Sequence, residues 1–219
     1  MTTRLLIVRH GRTAWNIDGR FQGQLDIPLD ETGQAQAAAI AHRLAHELLR
    51  AQERPGAIYA SDLSRAWQTA RVIQNAIAEA IQPEPIPPLV LEPRLREMHF
   101  GEWQGLTYAE IQACQPEALA AWEADWLNHA PPGGETLTQL VERVQAVYHE
   151  ILAAHPDGMA LLVGHGGALQ SLLCMALGLP PERFWQLQLD NTGLADLRIY
   201  PEGAILNLFN DTCHLERPT

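Results

Sequence analysis

Four consecutive apolar residues, Leu5-Leu6-Ile7-Val8, run straight into Arg9-His10-Gly11. A run without polar alternation fits a strand buried on both faces, the habit of parallel sheets. Two further segments repeat the grammar. Ala57-Ile58-Tyr59-Ala60 leads into Ser61-Asp62-Leu63-Ser64-Arg65, and Met159-Ala160-Leu161-Leu162-Val163 leads into Gly164-His165-Gly166-Gly167. Between them lie helical patterns. Ala37, Ile40, Ala41, Leu44 and Leu48 share one face from Gln34 to Glu53, and Val72, Ile73, Ala76 and Ile77 share one from Arg65 to Ile81. Thr136-x-x-Gln139 reads as a capping box ahead of Leu140, Val144, Val147 and Ile151. A further helix is expected from about Ala168 to Leu177, stopped by Gly178 and Pro180-Pro181. Strands alternating with helices predict an α/β three-layer sandwich, a mostly parallel sheet with helices on both faces. Ala195–Tyr200 and Ala204–Phe209 flank Pro201-Glu202-Gly203 and predict a hairpin at a sheet edge.

Residues 93–133 break the alternation and carry Trp103, Tyr108, Trp122 and Trp126. They read as an inserted helical cap, ending in Pro131-Pro132-Gly133-Gly134. Trp122 and Trp126 lie one helical turn apart, a spacing that serves core packing or a lid over a pocket. Pro83–Pro88 is expected to be irregular. The length of 219 residues fits one domain over 1–219 with this insertion.

A net charge of −11 and a pI of about 5.2 exclude a nucleic-acid binder and a binder of anionic membrane surfaces. No apolar run approaches the roughly 18 residues of a membrane span, and no signal-peptide pattern is read at the N-terminus. Cys114, Cys174 and Cys213 are odd in number and widely spaced, which suits reduced thiols in a cytoplasmic protein. A homodimer is left open.

Ligands of open α/β sheets bind beyond the carboxyl ends of the strands. Those ends deliver Arg9 and His10, Arg65, and His165, and Glu97 in Arg94-Leu95-Arg96-Glu97-Met98 is the best acid from the cap. Phosphoryl transfer spreads negative charge over equatorial oxygens, so its catalysis is mainly positioning and electrostatic stabilisation. Arginine forks and a second histidine supply that stabilisation without a metal or cofactor. A neutral imidazole is a competent phosphoryl acceptor when its other nitrogen donates to a fixed acceptor. A departing alkoxide needs a proton, which one carboxylic acid can provide.

Arg9-His10-Gly11-x-Thr13, with Trp15-Asn16 beyond it, resembles the signature of the histidine phosphatase superfamily, the phosphoglycerate-mutase-like proteins. Ser61-Asp62-Leu63-x-Arg65-Ala66-x-x-Thr69-Ala70 resembles its second block. Glu97-Met98-x-Phe100-Gly101-x-Trp103-x-Gly105 resembles the acid-bearing block, and Gly164-His165-Gly166-Gly167 the last. The four blocks keep the family order over residues 5–170. The resemblance implies that His10 is the phosphorylated nucleophile. It also implies that Arg9, Arg65 and His165 bind the phosphoryl group and that Glu97 donates the proton. Asn16 and Gln22 match positions that line the phosphate or substrate pocket, and Gly166 joins them as a substrate contact. Arg12 stands where many members carry glutamate, a position outside the direct chemistry.

The activity so implied is a metal-independent phosphatase for small phosphomonoesters; phosphoserine, α-ribazole phosphate and sugar phosphates all fit. A cofactor-dependent phosphoglycerate mutase is the alternative. It must enclose a bisphosphorylated intermediate, whereas residues 98–133 contain no Lys or Arg. A tryptophan-bearing, cation-free cap suggests tolerance of organic leaving groups. His42 and His46 have zinc-compatible spacing but no evident third ligand, and a solvated helix face explains them better. His99 either orients Glu97 or is exposed. No GxxxxGK[ST], GxGxxG or GxSxG pattern supports a nucleotide site or a serine hydrolase.

Overall fold

Leu5 and Ile7 pack into one helical layer and Leu6 and Val8 into the other, which is why the first strand needs apolar side chains at every position. The computed structural model describes residues 2–80 and 85–216. In chain order its strands are β1 (Thr3–Arg9), β2 (Ala57–Ala60), β3 (Leu89–Leu91), β4 (Met159–Gly164), β5 (Leu194–Tyr200) and β6 (Gly203–Asp211). They form one sheet in the order β3-β2-β4-β1-β5-β6. β1, β4, β2 and β3 pair in parallel, while β5 and β6 add an antiparallel hairpin at the β1 edge.

The helices are α1 (Ala14–Ile17), α2 (Glu31–Ala51), α3 (Ser64–Ala80), α4 (Tyr108–Cys114), α5 (Pro116–Ala124), α6 (Leu137–Ala154) and α7 (Gly166–Ala176). Ile40 and Leu44 of α2 and Ile73 of α3 join the core on one face of the sheet; Leu140 and Val144 of α6 and Leu169 and Leu172 of α7 join it on the other. The Thr136 capping box forms, with the Thr136 hydroxyl accepting from Gln139 N–H and the Gln139 side chain accepting from Thr136 N–H. α2 begins at Glu31, ahead of its periodic apolar face, because the Asp30 carboxylate caps Gly33 N–H at 2.7 Å. Ile81, Pro83 and Glu84 lie outside the described residues; the segment from 85 to 88 is irregular, as its prolines dictate. β3 escapes the sequence pattern because it is a three-residue edge strand with Val90 and Leu91 exposed.

Between β3 and α6 the chain leaves the sheet. Two 3-10 turns (Pro93–Leu95 and Gly101–Trp103) and helices α4 and α5 gather around a small apolar cluster of Trp103, Ile111 and Leu119. The edge of the Trp122 ring packs on buried Trp103 at 5.6 Å.

Strand register brings the polar ends together. Arg9 pairs with Gly164 across β1/β4, and Ala60 with Val163 across β2/β4. The bonds continue past the strands, from His10 N–H to the Gly164 carbonyl (2.9 Å) and from Ser61 N–H to the Val163 carbonyl (3.1 Å). The loop after His10 then docks on the first turn of α2, backbone against backbone. A side-chain carbon on Gly11 would lie 2.4 Å from the Gly33 carbonyl oxygen, and one on Gly33 would lie 2.0 Å from that of Arg12. Gly33→Ala should therefore cost about 1–3 kcal/mol, as overpacking does. A lower urea midpoint at unchanged m-value is the expected result.

Candidate active site

His10 is 3% exposed, and its Nδ1 lies 2.7 Å from the Gly11 carbonyl oxygen. A carbonyl only accepts, so Nδ1 carries the proton and Nε2 keeps its lone pair. Burial, then the charges of Arg65 and Arg9, push the His10 pKa well below the ordinary imidazole value, so the ring is neutral. His165 follows β4 as the N-cap of α7 and is wholly buried; its ring centroid lies 5.1 Å from that of His10. Burial, Arg65, His10 and Arg9 lower its pKa in the same way, with Arg143 adding a little.

The two guanidinium groups are held by backbone carbonyls. Arg65, wholly buried near the start of α3, donates to Leu25 (2.7 Å) and Gly23 (2.7 Å). Arg9 donates to the Leu189 carbonyl at 2.6 Å. Burial lowers both guanidinium pKa values, that of Arg65 to about 10, with Glu97 opposing the shift, so both remain charged at neutral pH. Arg9 Nε, Arg65 Nε and both ring nitrogens of His165 are buried without a protein partner. An unmet buried polar group costs about 1–3 kcal/mol. Concentrating several at one point serves an anionic ligand, since it serves no fold.

Glu97 arrives on the segment between the two 3-10 turns. Its carboxylate accepts from Met98 N–H (2.9 Å) and from Gly167 N–H (3.2 Å) in the first turn of α7, the positive end of that helix dipole. Arg143 of α6 clamps the segment, donating to the carbonyls of Arg94 (2.6 Å), Arg96 (2.7 Å) and Glu97 (2.9 Å) while paired with Glu135. The missing side chain of Gly167 leaves Glu97 its place, because a Cβ there would lie 2.6 Å from Glu97 Oε1 and would push the carboxylate aside.

A cavity of about 300 Å³ opens on this group, lined by Arg9, His10, Asn16, Gln22, Arg65 and Glu97 among others. His165 and Gly166 are not on that lining; Gly166 sits behind it, where a Cβ would be 3.7 Å from Glu97 Oε2. The Asn16 amide oxygen is already committed to Thr13 N–H (3.0 Å), the Thr13 hydroxyl (3.1 Å) and Asn191 Nδ2 (3.4 Å). Asn16 thus braces the loop as much as it lines the cavity. Arg12 turns onto Asp30 (2.8 Å), outside the cavity lining. His99 does not orient Glu97: its Nδ1 accepts from Gly101 N–H at 3.1 Å and caps a local turn. His42 and His46 are exposed on α2.

Several supports carry no motif of their own. Arg143 reads as an ordinary polar position on the exposed face of α6. The Asn191 side chain donates to the His10 carbonyl (3.0 Å), and Thr192 N–H donates to that of Arg9 (3.0 Å), from a loop some 180 residues downstream. The Thr69 hydroxyl accepts from Gly11 N–H (3.1 Å) and donates to the Arg65 carbonyl (2.8 Å), tying the two arginine-bearing elements together.

The pattern of the histidine phosphatase superfamily (branch 1) matches residues 5–212. Phosphoserine phosphatase 1 of Hydrogenobacter thermophilus is 31% identical over 97% of this chain and 94% of its own. The metal-independent phosphoserine phosphatase of Arabidopsis thaliana is 38% identical over 78% of this chain and 67% of its own. The crystal structure of the α-ribazole phosphatase of Shigella flexneri superposes with a TM-score of 0.82 at 27% identity, covering 95% of this chain and 96% of that one. The chain belongs to the histidine phosphatase superfamily. Its class is phosphomonoester hydrolase. No helix among the described residues is long and apolar enough to cross a membrane.

Two measurements probe this geometry. Gly167→Ala should stay folded yet lose about 10²-fold in kcat/KM, the scale of a 1 Å misplacement of a reacting group. The buried neutral histidines set a pH dependence. Below the ordinary imidazole pKa of about 6.5 the unfolded chain takes up protons that the folded chain does not. Their contribution to stability is complete above about pH 6.5 and is lost as pH falls toward the depressed folded values. Unfolding free energy should drop by up to about 1.4 kcal/mol per pH unit for each such histidine. In urea titrations between pH 7 and 5.5, His165→Gln should have a shallower slope than the parent.

Proposed function

We propose that this chain hydrolyses small phosphomonoesters through a phosphohistidine on His10, with residues 1–219 forming one catalytic domain and residues 93–133 its cap. The observation that carries the reading is the buried cluster of two carbonyl-held guanidinium groups and two neutral imidazoles, in which Arg9 Nε, Arg65 Nε and the His165 ring nitrogens have no protein partner and His10 Nε2 keeps its lone pair. In the first step His10 Nε2 attacks phosphorus, the ester P–O bond breaks, and Glu97 gives its proton to the departing oxygen. In the second, Glu97 takes a proton from water as the water oxygen attacks phosphorus. The P–N bond then breaks and its electron pair returns to His10. Arg9, Arg65 and His165 hold the equatorial oxygens through both steps. Asn16, Gln22 and Gly166 support the bound ester at the cavity mouth and behind Glu97. The two phosphoserine phosphatases and the α-ribazole phosphatase support hydrolysis of compact esters. The absence of Lys and Arg from residues 98–133 favours transfer to water over a mutase that must enclose a second phosphate. The acidic balance and three free cysteines fit a cytoplasmic enzyme.

Release of inorganic phosphate from a panel of phosphomonoesters, in the presence of a chelator and beside phosphoglycerate isomerisation, tests the reading. Hydrolysis should persist with the chelator and exceed isomerisation; brisk isomerisation with negligible hydrolysis would overturn it. His10→Ala should abolish both turnover and acid-labile phosphoryl labelling. Glu97→Gln should slow alkyl esters by about 10²–10⁴-fold. In kcat/KM, which reports the first step, it should have much less effect on p-nitrophenyl phosphate, whose leaving group needs no proton.

A further inference from the structure

Beside the phosphate cavity lies a second one of about 290 Å³, and Phe21, Phe100 and Glu97 line both. Its remaining wall is chiefly aromatic, with Trp122 and Trp126 from the inserted segment and Phe184 and Trp185 from the 3-10 turn Pro181–Gln186. Glu97 is the only charged side chain among its lining residues. The rings are already packed on one another: Trp126 on Phe184 with centroids 5.0 Å apart, and Phe21 edge-on to Phe100 at 4.8 Å. The volume sits at the lower end of pockets that enclose small organic ligands, about 300–1,000 Å³.

Resting on the phosphatase reading, we infer that this cavity is the leaving-group subsite and that it selects uncharged apolar alcohols, alkyl or aryl, as the organic part of the ester. Glu97 marks the junction because it must touch the bridging oxygen that it protonates. Whatever that oxygen carries continues past the carboxylate, and the aromatic cavity shares Glu97, Phe21 and Phe100 with the phosphate centre and so adjoins that path. A second carboxylate or phosphate on the leaving group would meet no cation there and would give up its hydration opposite Glu97. An apolar group trades water for preorganised aromatic surface. The Trp122 indole N–H, buried without an acceptor, leaves room for one neutral oxygen on the ligand.

An n-alkyl phosphate series from ethyl to hexyl tests this, because leaving-group basicity stays nearly constant while apolar area grows. Expected is a rise in kcat/KM of about three- to fourfold for each methylene, until the cavity is full. Trp126→Ala should flatten that rise. So should Trp185→Ala, a substitution at a side chain 60% exposed that the fold does not need. Phosphoserine should fall below butyl phosphate. A flat series in the parent, an unchanged slope in both variants, or phosphoserine above butyl phosphate would overturn the subsite while leaving the phosphatase reading intact. Failure to hydrolyse any ester would overturn both.

Discussion

Everything at the centre of this molecule depends on keeping positive charge buried without a matching number of carboxylates. Arg65 is inaccessible to solvent, and its two terminal nitrogens donate to the backbone carbonyls of Gly23 and Leu25 while Nε is left without a protein partner. Arg9 is held by that of Leu189. A carbonyl dipole steadies a guanidinium but does not neutralise it, so the charge stays available to a ligand. Salt bridges would have stabilised the empty fold and blunted the site. All 15 basic residues of the chain are arginines, and the two at this centre are held in place through the fork geometry that a lysine lacks.

That charged centre also governs its neighbours. Burial first, and then that charge, hold His10 and His165 neutral, and neutrality leaves His10 Nε2 with a lone pair because Nδ1–H donates to the Gly11 carbonyl. Glu97 is the carboxylate on the lining of the cavity that Arg9, His10 and Arg65 share, and three separate devices keep it there. They are the first turn of α7, the missing side chain of Gly167 and the Arg143 clamp. The inserted segment between β3 and α6 thus carries Glu97 to the first cavity and, through Trp122 and Trp126, forms a wall of the second.

How far the sequence could be read differs between elements for physical reasons. β1, β2 and β4 were plain because burial on both faces forces an unbroken apolar run. α2, α3 and α6 were plain because a helix over a sheet must show one apolar stripe. β3 was missed because an edge strand of three residues needs neither pattern. His99 beside Glu97 left two readings open, and adjacency in sequence misled: the backbone turns the imidazole onto Gly101. Arg143 and Asn191 carry no local signal at all, since the carbonyls they hold belong to residues far along the chain.

The amino-acid order alone determined the alternation of strands and helices, the cluster of Arg9, His10, Arg65 and His165 at strand ends, and the family these imply. The alternation and the cluster follow from periodicity and residue type, both local properties, and the family from the resemblance of the four motif blocks. The tertiary structure alone decided which nitrogen of His10 is free, how Glu97 meets α7, and that the cavity lined by Arg9, His10 and Arg65 adjoins an aromatic one. These depend on register between β1 and β4, on Gly11 lying against Gly33, and on where a distant 3-10 turn places Phe184 and Trp185. Such contacts join residues whose separation along the chain says nothing of their distance in space.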